Sequence, residues 1–141
     1  MMDLTMDYDS IQKAGSGLGS GAVIVMDDTT CMVRACHRIS RFYYKESCGQ
    51  CTPCREGTGW MYRVLTRIVQ MQATMDDLQM LRAAAGQIEG HTICAFGEAA
   101  AWPVQAFLAQ FWNEFEYAIV NKRFYVDDLA AGTVVPSEQA A

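Results

Sequence analysis

The sequence predicts a mainly α-helical fold, a small helical bundle preceded by a short β remnant. Apolar residues recur at three- and four-residue steps between residues 60 and 115, which is the period of helices with one buried face. Hydrophobic residues make up 51% of the 141-residue chain and charged residues 19%, a composition typical of a globular domain. Only one short β-branched run, at residues 22–26, has the character of a strand.

The first segment, residues 1–35, has no helical period and is expected to be the end of a separate domain. Its apolar run at residues 22–26 is followed directly by Asp27 and Asp28. This order predicts a strand that ends in a turn. Because one strand is not a stable sheet by itself, we expect the remainder of the sheet to lie outside this sequence.

Four glycines alternate with other residues between Gly15 and Gly21, directly before the predicted strand. A dinucleotide-binding loop has the pattern Gly-x-Gly-x-x-Gly and follows a strand. Here Ser20 occupies the third glycine position, and the run precedes the strand. We therefore interpret the run as a flexible loop or a tight turn.

Two helices are predicted around the middle of the chain. A short one is expected over about residues 38–46, and a longer one begins near Pro53, since proline suits a first helical turn. The apolar stripe of the longer helix comprises Trp60, Met61, Val64, Leu65, Ile68 and Met71. All three tryptophans, Trp60, Trp102 and Trp112, are expected in the core.

Two further helices are predicted in the second half. Thr74 and Asp77 have the spacing of a capping box at a helix start, and Gly90 suits the end of that helix. The last helix is expected to begin around Trp102 and Pro103. The inward residues of these two helices are Met75, Leu78, Leu81, Ala85, Ile88, Val104, Phe107, Leu108, Phe111, Trp112 and Phe115.

Charge and composition exclude several classes of protein. The formal net charge is −5, which argues against a nucleic-acid partner because phosphate binding needs a basic face. No apolar run reaches the roughly 18 residues of a membrane span, so no direct membrane insertion is expected. The first ten residues carry three aspartates and no apolar centre, so they are not a signal peptide. A reducing cytoplasmic location is expected, where six cysteines indicate metal or redox chemistry before disulfides.

The chemistry is predicted to lie in a cysteine motif. Cys48, Cys51 and Cys54 form Cys-x-x-Cys-x-x-Cys, and Cys94 follows well downstream. Three thiolates at this spacing can converge as the chain wraps around a compact centre, and a remote fourth closes the set. This pattern is typical of a [4Fe–4S] cluster, in which each iron takes one thiolate. The four cysteines are therefore the predicted metal ligands.

The residues expected around the cluster are Gly49, Gln50, Pro53, Arg55 and His91. Gly49 lets the backbone approach closely, and Pro53 suits a helix start whose free amides can face sulfur. Arg55 adds a nearby cation, which favours the reduced cluster. His91 is interpreted as a hydrogen-bonding structural histidine, with orientation of the loop or a ligand role as alternatives.

Other interpretations of the cysteines remain open at this point. Zinc also binds four cysteines, although usually as two separated Cys-x-x-Cys pairs, and free or redox-active thiols are a further alternative. Cys31 and Cys36 are interpreted as buried structural thiols, with a second metal site including His37 as the weaker alternative. No catalytic residue is predicted, because no Ser/His/Asp triad or pair of carboxylates stands out.

Two segments resemble one known family. Residues 46–57, which contain the cysteine triplet, and residues 88–105, which contain Cys94, are similar to the NADH- and FMN-binding subunit of respiratory complex I, the 51-kDa subunit family of NADH:quinone oxidoreductase. Related subunits occur in NAD-reducing hydrogenases and formate dehydrogenase diaphorases, which the sequence does not separate from complex I. The stretch from residue 6 to residue 28 also looks like this family, so the resemblance covers about residues 6–115.

The resemblance implies a division of the chain and a role in electron transport. Residues 1–35 correspond to the end of a β-grasp-like, soluble-ligand-binding domain, residues 36–120 to the iron–sulfur-binding helical bundle, and residues 121–141 to a flexible tail. FMN and NADH are bound by an N-terminal domain that this sequence lacks, so the chain alone is not expected to oxidise NADH. Its implied partners are other iron–sulfur subunits of the NADH-dehydrogenase module, on the cytoplasmic side of the inner membrane, upstream of quinone in the respiratory chain.

Overall fold

The computed structural model describes residues 3–133, and this part of the chain is mainly helical, as predicted. Its elements are α1 (Tyr8–Lys13), α2 (Met32–Glu46), α3 (Thr52–Val69), α4 (Met75–Ile88), α5 (Phe96–Asn121) and α6 (Tyr125–Ala130). None of these helices is long and apolar enough to cross a membrane.

The four longer helices form a closed bundle. Each helix packs on the next one in sequence, α2 on α3, α3 on α4 and α4 on α5, and α5 also packs on α2, which closes the bundle. Helix α5 also contacts α3 across the bundle, and the short α6 packs on α5. Helix α1 makes no contact with the other described helices. The two loops that join α2 to α3 and α4 to α5 matter most, because they carry the cysteine motif.

The core confirms most of the predicted helix faces. The largest fully buried side chains are Phe115, Met61, Leu65, Ile68, Leu78, Leu81, Ile88, Val33 and Val104. The predicted capping box is present at the start of α4: the Thr74 N–H donates to Asp77 Oδ2 at 2.8 Å, and the Asp77 N–H donates to Thr74 Oγ1. Two reciprocal bonds of this kind satisfy amides that a helix start leaves without partners.

Several predicted boundaries and two core assignments are wrong. Helix α2 begins at Met32, six residues before the predicted start, and α5 begins at Phe96, also six residues early. Pro103 therefore lies inside α5, where its nitrogen cannot donate to the carbonyl one turn back. Trp60 and Trp102 are 50% and 54% exposed, and the indole N–H of Trp102 donates to Glu89; Trp112 is half-buried.

The predicted strand is also wrong for the described chain, which contains no strand between residues 3 and 133. Val23, Ile24 and Val25 are 69%, 75% and 90% exposed. The physical reason is the absence of a neighbouring strand, without which the backbone groups of residues 22–26 have no ladder to join. Within the predicted tail, residues 125–130 form α6; residues 134–141 lie outside the described residues.

Candidate metal centre

All four predicted ligands line one cavity of about 150 Å³ between the two loops. Cys48 and Cys94 are exposed, Cys51 is half-buried and Cys54 is buried. The other lining residues are Glu46, Ser47, Gln50, Thr92, Phe96 and Gly97. The loop between α2 and α3 therefore faces the loop between α4 and α5 across a space that all four thiols line.

The first loop turns sharply at Gly49 to bring its cysteines to the start of α3. Gly49 has φ +79°, a left-handed conformation that residues with a Cβ adopt at a cost. Arg55 holds this turn, since its Nη1 donates to the Gly49 carbonyl at 2.9 Å. Cys51 is the N-cap of α3, and Pro53 lies in the first turn, as predicted. Arg55 does not line the cavity, because Gly49 and Glu56 bind its guanidinium.

Two hydroxyl groups fix Cys54 in the first turn of α3. The buried Thr58 hydroxyl donates to the Cys54 carbonyl at 2.7 Å. Ser47 Oγ lies 3.3 Å from Cys54 Sγ and accepts from the Gly49 N–H at 3.4 Å. When Cys54 is a thiolate it can only accept, so the Ser47 hydroxyl is then the donor. Charge-assisted bonds of this kind are stronger than neutral ones.

The second loop is held from both ends. The Gly90 N–H donates to Glu98 Oε1 on α5 at 3.0 Å, and the Thr92 hydroxyl donates to the Cys94 carbonyl at 2.9 Å. The Ile93 N–H donates to Cys51 Sγ at 3.4 Å, which joins the second loop directly to the first. The backbone of the second loop thus supplies a donor to a sulfur of the cysteine triplet.

A carboxylate at the start of this loop is bound to α5. Glu89 accepts from Trp102 Nε1 at 2.6 Å and from Gln105 Nε2 at 3.0 Å. The donations from Gln105 and Trp102 hold the pKa of the Glu89 carboxyl below its ordinary value. His91 Nδ1 lies 2.8 Å from the Glu89 carbonyl; a carbonyl only accepts, so that nitrogen carries the proton. His91 therefore makes a structural hydrogen bond and does not line the cavity.

Gly97, in the first turn of α5, allows the closest approach in the site. A Cβ at this position would clash with the side chain of Thr92, including its Oγ1 and Cγ2 atoms. The absent side chain therefore lets the second loop fold against the start of α5. Thr92 and Gly97 line the cavity together with Cys94, so this contact shapes the wall on the Cys94 side.

The arrangement suits a cluster better than a single metal ion. Zinc requires its ligands to converge on one point at about 2.0–2.3 Å. In residues 3–133 no group of three or more Cys, His, Asp or Glu side chains is arranged to hold one metal ion. A [4Fe–4S] cluster instead needs four thiolates spread around a larger body, each on its own iron. Four thiols around a cavity of about 150 Å³ fit the second requirement.

Cys31 and Cys36 lie outside the cavity and are buried. Burial raises the pKa of the Cys36 thiol from 9.0 to about 12, against a smaller opposite effect from the Ser40 hydroxyl. Burial also raises the pKa of Cys31. His37 stacks on Tyr62, and its Nε2 lies 3.1 Å from Thr66 Oγ1. All three residues therefore have structural surroundings within the described part of the chain.

Sequence reasoning missed the polar residues that hold the two loops. Ser47 and Thr92 line the cavity, and Glu89 and Glu98 anchor the second loop. Their roles depend on contacts between α5 and the loop that no local pattern encodes. One signal was present: Glu98 stands four residues after Cys94, where an acidic residue in a first helical turn commonly binds backbone amides.

The family model of the NADH-ubiquinone oxidoreductase-F iron–sulfur binding region matches residues 34–118. The chain is similar to the NADH-quinone oxidoreductase F subunit 1 of Rhizobium meliloti (strain 1021), with 56% identity over 119 residues, 84% of this chain and 27% of that protein. It is 51% identical over 121 residues to the NADH-quinone oxidoreductase F subunit of Rickettsia typhi, covering 86% of this chain and 29% of that protein.

Solved structures agree with this assignment. The fold is similar to part of an NAD+-reducing [NiFe]-hydrogenase in the H2-reduced state, with a TM-score of 0.68, 32% identity, and coverage of 85% of this chain and 22% of the other. The air-oxidized state gives a TM-score of 0.65 at 33% identity, over 77% of this chain and 20% of the other. The chain spans less than a third of the relatives named above. It belongs to the NADH-quinone oxidoreductase F-subunit family, of which it contains the iron–sulfur binding region.

Proposed function

We propose that Cys48, Cys51, Cys54 and Cys94 hold a [4Fe–4S] cluster and that the chain transfers electrons one at a time within an NADH-dehydrogenase module. The observation that carries the proposal is the single cavity lined by these four thiols and no other cysteine. When bound, the cluster supplies a one-electron redox centre whose potential depends on hydrogen bonds to its sulfurs and on exposure to solvent.

The residues of the chain have separate tasks in this proposal. The Ser47 hydroxyl and the Ile93 N–H donate to the sulfurs of Cys54 and Cys51, which lowers their negative charge and favours the reduced state. Arg55 holds the Gly49 turn, so it positions the first loop. The buried Cys54 and the exposed Cys48 and Cys94 give the site one protected side and one side open to a partner.

The surroundings of the cluster are proposed from the family. FMN and NADH are bound in the part of the subunit outside this chain, and the cluster takes electrons from the reduced flavin. The next centre lies in another iron–sulfur subunit of the module, and the electrons continue from there towards quinone. The module lies on the cytoplasmic side of the membrane. Residues 36–120 together with the first turn of α2 form the cluster-binding bundle, the residues before α2 are the end of a β-grasp-like domain and residues 121–141 are the tail. Residues 22–26 therefore pair as a strand only with the rest of that domain.

The test is the metal content of the purified chain after anaerobic reconstitution. We expect about four irons and four acid-labile sulfides per chain and a broad absorbance near 400 nm. Dithionite should bleach the absorbance, whereas NADH should not, because the nucleotide and flavin sites lie outside the chain. Stoichiometric zinc without colour would refute the proposal and leave a zinc-stabilised interaction module.

Matched variants assign the ligands. Cys94→Ser should lower the iron content or convert the cluster to a form with fewer irons, because a hydroxyl is a poorer ligand for iron than a thiolate. Cys31→Ala changes the same residue type outside the cavity and should leave four irons. Equal loss in both variants would show that iron content follows folding and that Cys94 is not a ligand.

The hydrogenase relatives provide a second candidate assembly, because both solved structures named above are NAD+-reducing hydrogenases. The identity of 32–33% to these hydrogenases is lower than the 51–56% to the NADH-quinone oxidoreductase proteins, so the quinone-reducing assembly is favoured. Disruption of the gene should therefore lower NADH:quinone activity in membranes. A loss of hydrogen-dependent NAD+ reduction with normal quinone reduction would select the hydrogenase.

A further inference from the structure

Positive charge is concentrated in one part of an otherwise acidic chain. Seven of the 11 lysines and arginines lie between Arg34 and Arg67, whereas only two of the 16 acidic residues, Glu46 and Glu56, lie there. The chain as a whole has a net charge of −5. Helices α2 and α3 are therefore basic, and the remainder of the protein is strongly acidic.

The basic residues of α2 share one face. Arg38, Arg41 and Lys45 follow one another at steps of three and four residues, so they form a line about 10 Å long on the helix surface. All three are exposed. Arg34 continues the line but is neutralised by Asp127, at 3.3 Å, and stacks over Phe124.

An aromatic stack connects this line of basic residues on α2 to Arg63 on α3. Tyr44, on α2, stacks on Tyr62, and Tyr62 stacks on His37, with ring centroids 5.6 and 5.1 Å apart. The Tyr44 ring and the Arg63 guanidinium both lie over Gly59, where a Cβ would approach them to 2.9 and 3.2 Å. Arg63 is thus held beside Tyr44 at the seam of the two helices.

These cations lack ionic partners within the described part of the chain. The ion pairs among residues 3–133 use Arg34, Arg55, Arg67 and Arg123 and none of Arg38, Arg41, Lys45 and Arg63. Like charges at three- and four-residue spacing on one helix repel each other and destabilise it. An external anion would remove this repulsion.

We propose that Arg38, Arg41, Lys45 and Arg63, here named the basic face, form a docking surface for an acidic surface of a partner protein. Charge complementarity selects the chemistry of the partner. The exposed Tyr44 ring, 42% accessible, adds apolar area at the centre, where interfaces favour tyrosine and arginine.

Two other occupants fit the charges less well. A nucleic acid carries charge along its whole length and would meet the acidic remainder of the chain beyond this short face. A second copy related by two-fold symmetry would place basic face against basic face, and a head-to-tail contact would build rings or filaments. A compact acidic protein surface meets neither difficulty.

The position of the basic face connects it to the proposed function. Lys45 directly precedes Glu46, which lines the cysteine cavity. A partner on the basic face would therefore sit beside the centre proposed above to carry electrons. This role depends on the proposed function, whereas binding of the partner does not.

Zero-length carbodiimide cross-linking tests the surface directly, because it joins a lysine amine to a partner carboxylate as an amide with net loss of water. The chain has only three lysines, Lys13, Lys45 and Lys122, and Lys45 alone belongs to the basic face. In extracts of cells that express the tagged full-length chain, we expect a cross-link from Lys45 to an Asp or Glu in an acidic segment of another protein, identified by mass spectrometry.

Variants separate docking from chance contact. Lys45→Arg keeps the charge and should abolish the cross-link, whereas Lys13→Arg should not. Arg38→Glu with Arg41→Glu should lower the Lys45 cross-link at least about tenfold at low salt, and changing the neighbouring partner carboxylates to lysine should restore it. Arg82→Glu, an exposed arginine on α4, makes the same type of charge change elsewhere and should have little effect.

Four results would overturn the proposal: a cross-link to a second copy of the chain, a nuclease-sensitive adduct, a cross-link that the arginine reversals leave unchanged, or no Lys45 cross-link. Helical circular dichroism of each variant shows that the bundle is folded. Iron content, measured in parallel, keeps the outcome distinct from the cluster assignment, since a variant with four irons and no cross-link has lost only docking.

Discussion

The six cysteines occupy two kinds of surroundings within one small bundle. Cys31 and Cys36 are buried at the start of α2 and within it, among apolar core residues. Cys48, Cys51, Cys54 and Cys94 line the cavity between two loops, where hydroxyl and amide groups reach their sulfurs or carbonyls. The residue type is identical, but only the second set lines a cavity, whereas burial raises the pKa of both thiols in the first set.

This difference shows that backbone geometry, more than residue type, creates the candidate ligand set. A thiolate needs hydrogen-bond donors or a metal to be stable away from water. The cavity loops supply donors from two places: the Ser47 hydroxyl lies beside the sulfur of Cys54, and the Ile93 N–H of the second loop donates to the sulfur of Cys51. The interior of α2 offers Cys36 a single hydroxyl, that of Ser40, so this thiol stays protonated.

Thiol alkylation should give the largest contrast between the two sets. In the cluster-free folded chain at pH 8, Cys36, with its pKa near 12, should react with iodoacetamide more than about a thousandfold slower than an ordinary exposed cysteine. The exposed Cys48 and Cys94 should be modified first. Mass spectrometry of timed digests measures each site separately. Comparable rates at Cys36 and Cys94 would remove the distinction on which the comparison rests.

A substitution at Gly97 tests whether its close packing against Thr92 maintains the cysteine cavity. Gly97→Ala forces a Cβ into the Thr92 side chain and should lower the free energy of unfolding by about 1–3 kcal/mol, as overpacking does. It should also reduce iron uptake, because Thr92 lines the cavity. Denaturant unfolding and iron analysis give the two results.

Gly86→Ala is the matched control for this substitution. Gly86 is exposed on α4 and has open space where a Cβ would lie. Alanine there should raise the free energy of unfolding by about 0.5–1 kcal/mol through helix propensity. Destabilisation by both substitutions would mean that the cost at Gly97 does not come from Thr92.

Local sequence patterns predicted what depends on periodicity and motif spacing. The stripe from Met61 to Ile68 and the Thr74–Asp77 capping box required only helical geometry. The predicted strand at residues 22–26 failed because a strand depends on a neighbour that no local pattern reveals. Trp102 was assigned to the core from its apolar character, whereas its indole N–H binds Glu89 at the surface. Long-range polar contacts of this kind are set by tertiary packing.

The buried Cys36 thiol should also make the free energy of unfolding depend on pH. Below about pH 9 the thiol is protonated in both states and contributes no pH dependence. Above that, the unfolded thiol ionises while the folded thiol stays protonated up to about pH 12. The free energy of unfolding should therefore fall by about 1.4 kcal/mol per pH unit in this range.

The measurement is the difference between the unmodified chain and Cys36→Ala in guanidinium unfolding at pH 8, 10 and 11. Taking the difference cancels the titration of tyrosines and lysines common to both. The difference in the free energy of unfolding between the two chains should become smaller as the pH rises. Parallel curves would show that the Cys36 thiol ionises with similar ease in the folded and unfolded states.

The smallest expected effect concerns the contact that ties the second loop to α5. Trp102→Phe keeps an aromatic ring but removes the N–H that donates to Glu89 at 2.6 Å. Loss of iron to a chelator should become about two- to tenfold faster, the effect of one hydrogen bond, because the loop that carries Cys94 can then open more readily. Trp60→Phe removes an equally exposed indole away from this loop and should leave the rate unchanged. If both variants lose iron at the same rate as the unmodified chain, the Gly90–Glu98 and Thr92–Cys94 bonds are sufficient to hold the loop. The Trp102–Glu89 bond then does not limit the opening of the cavity.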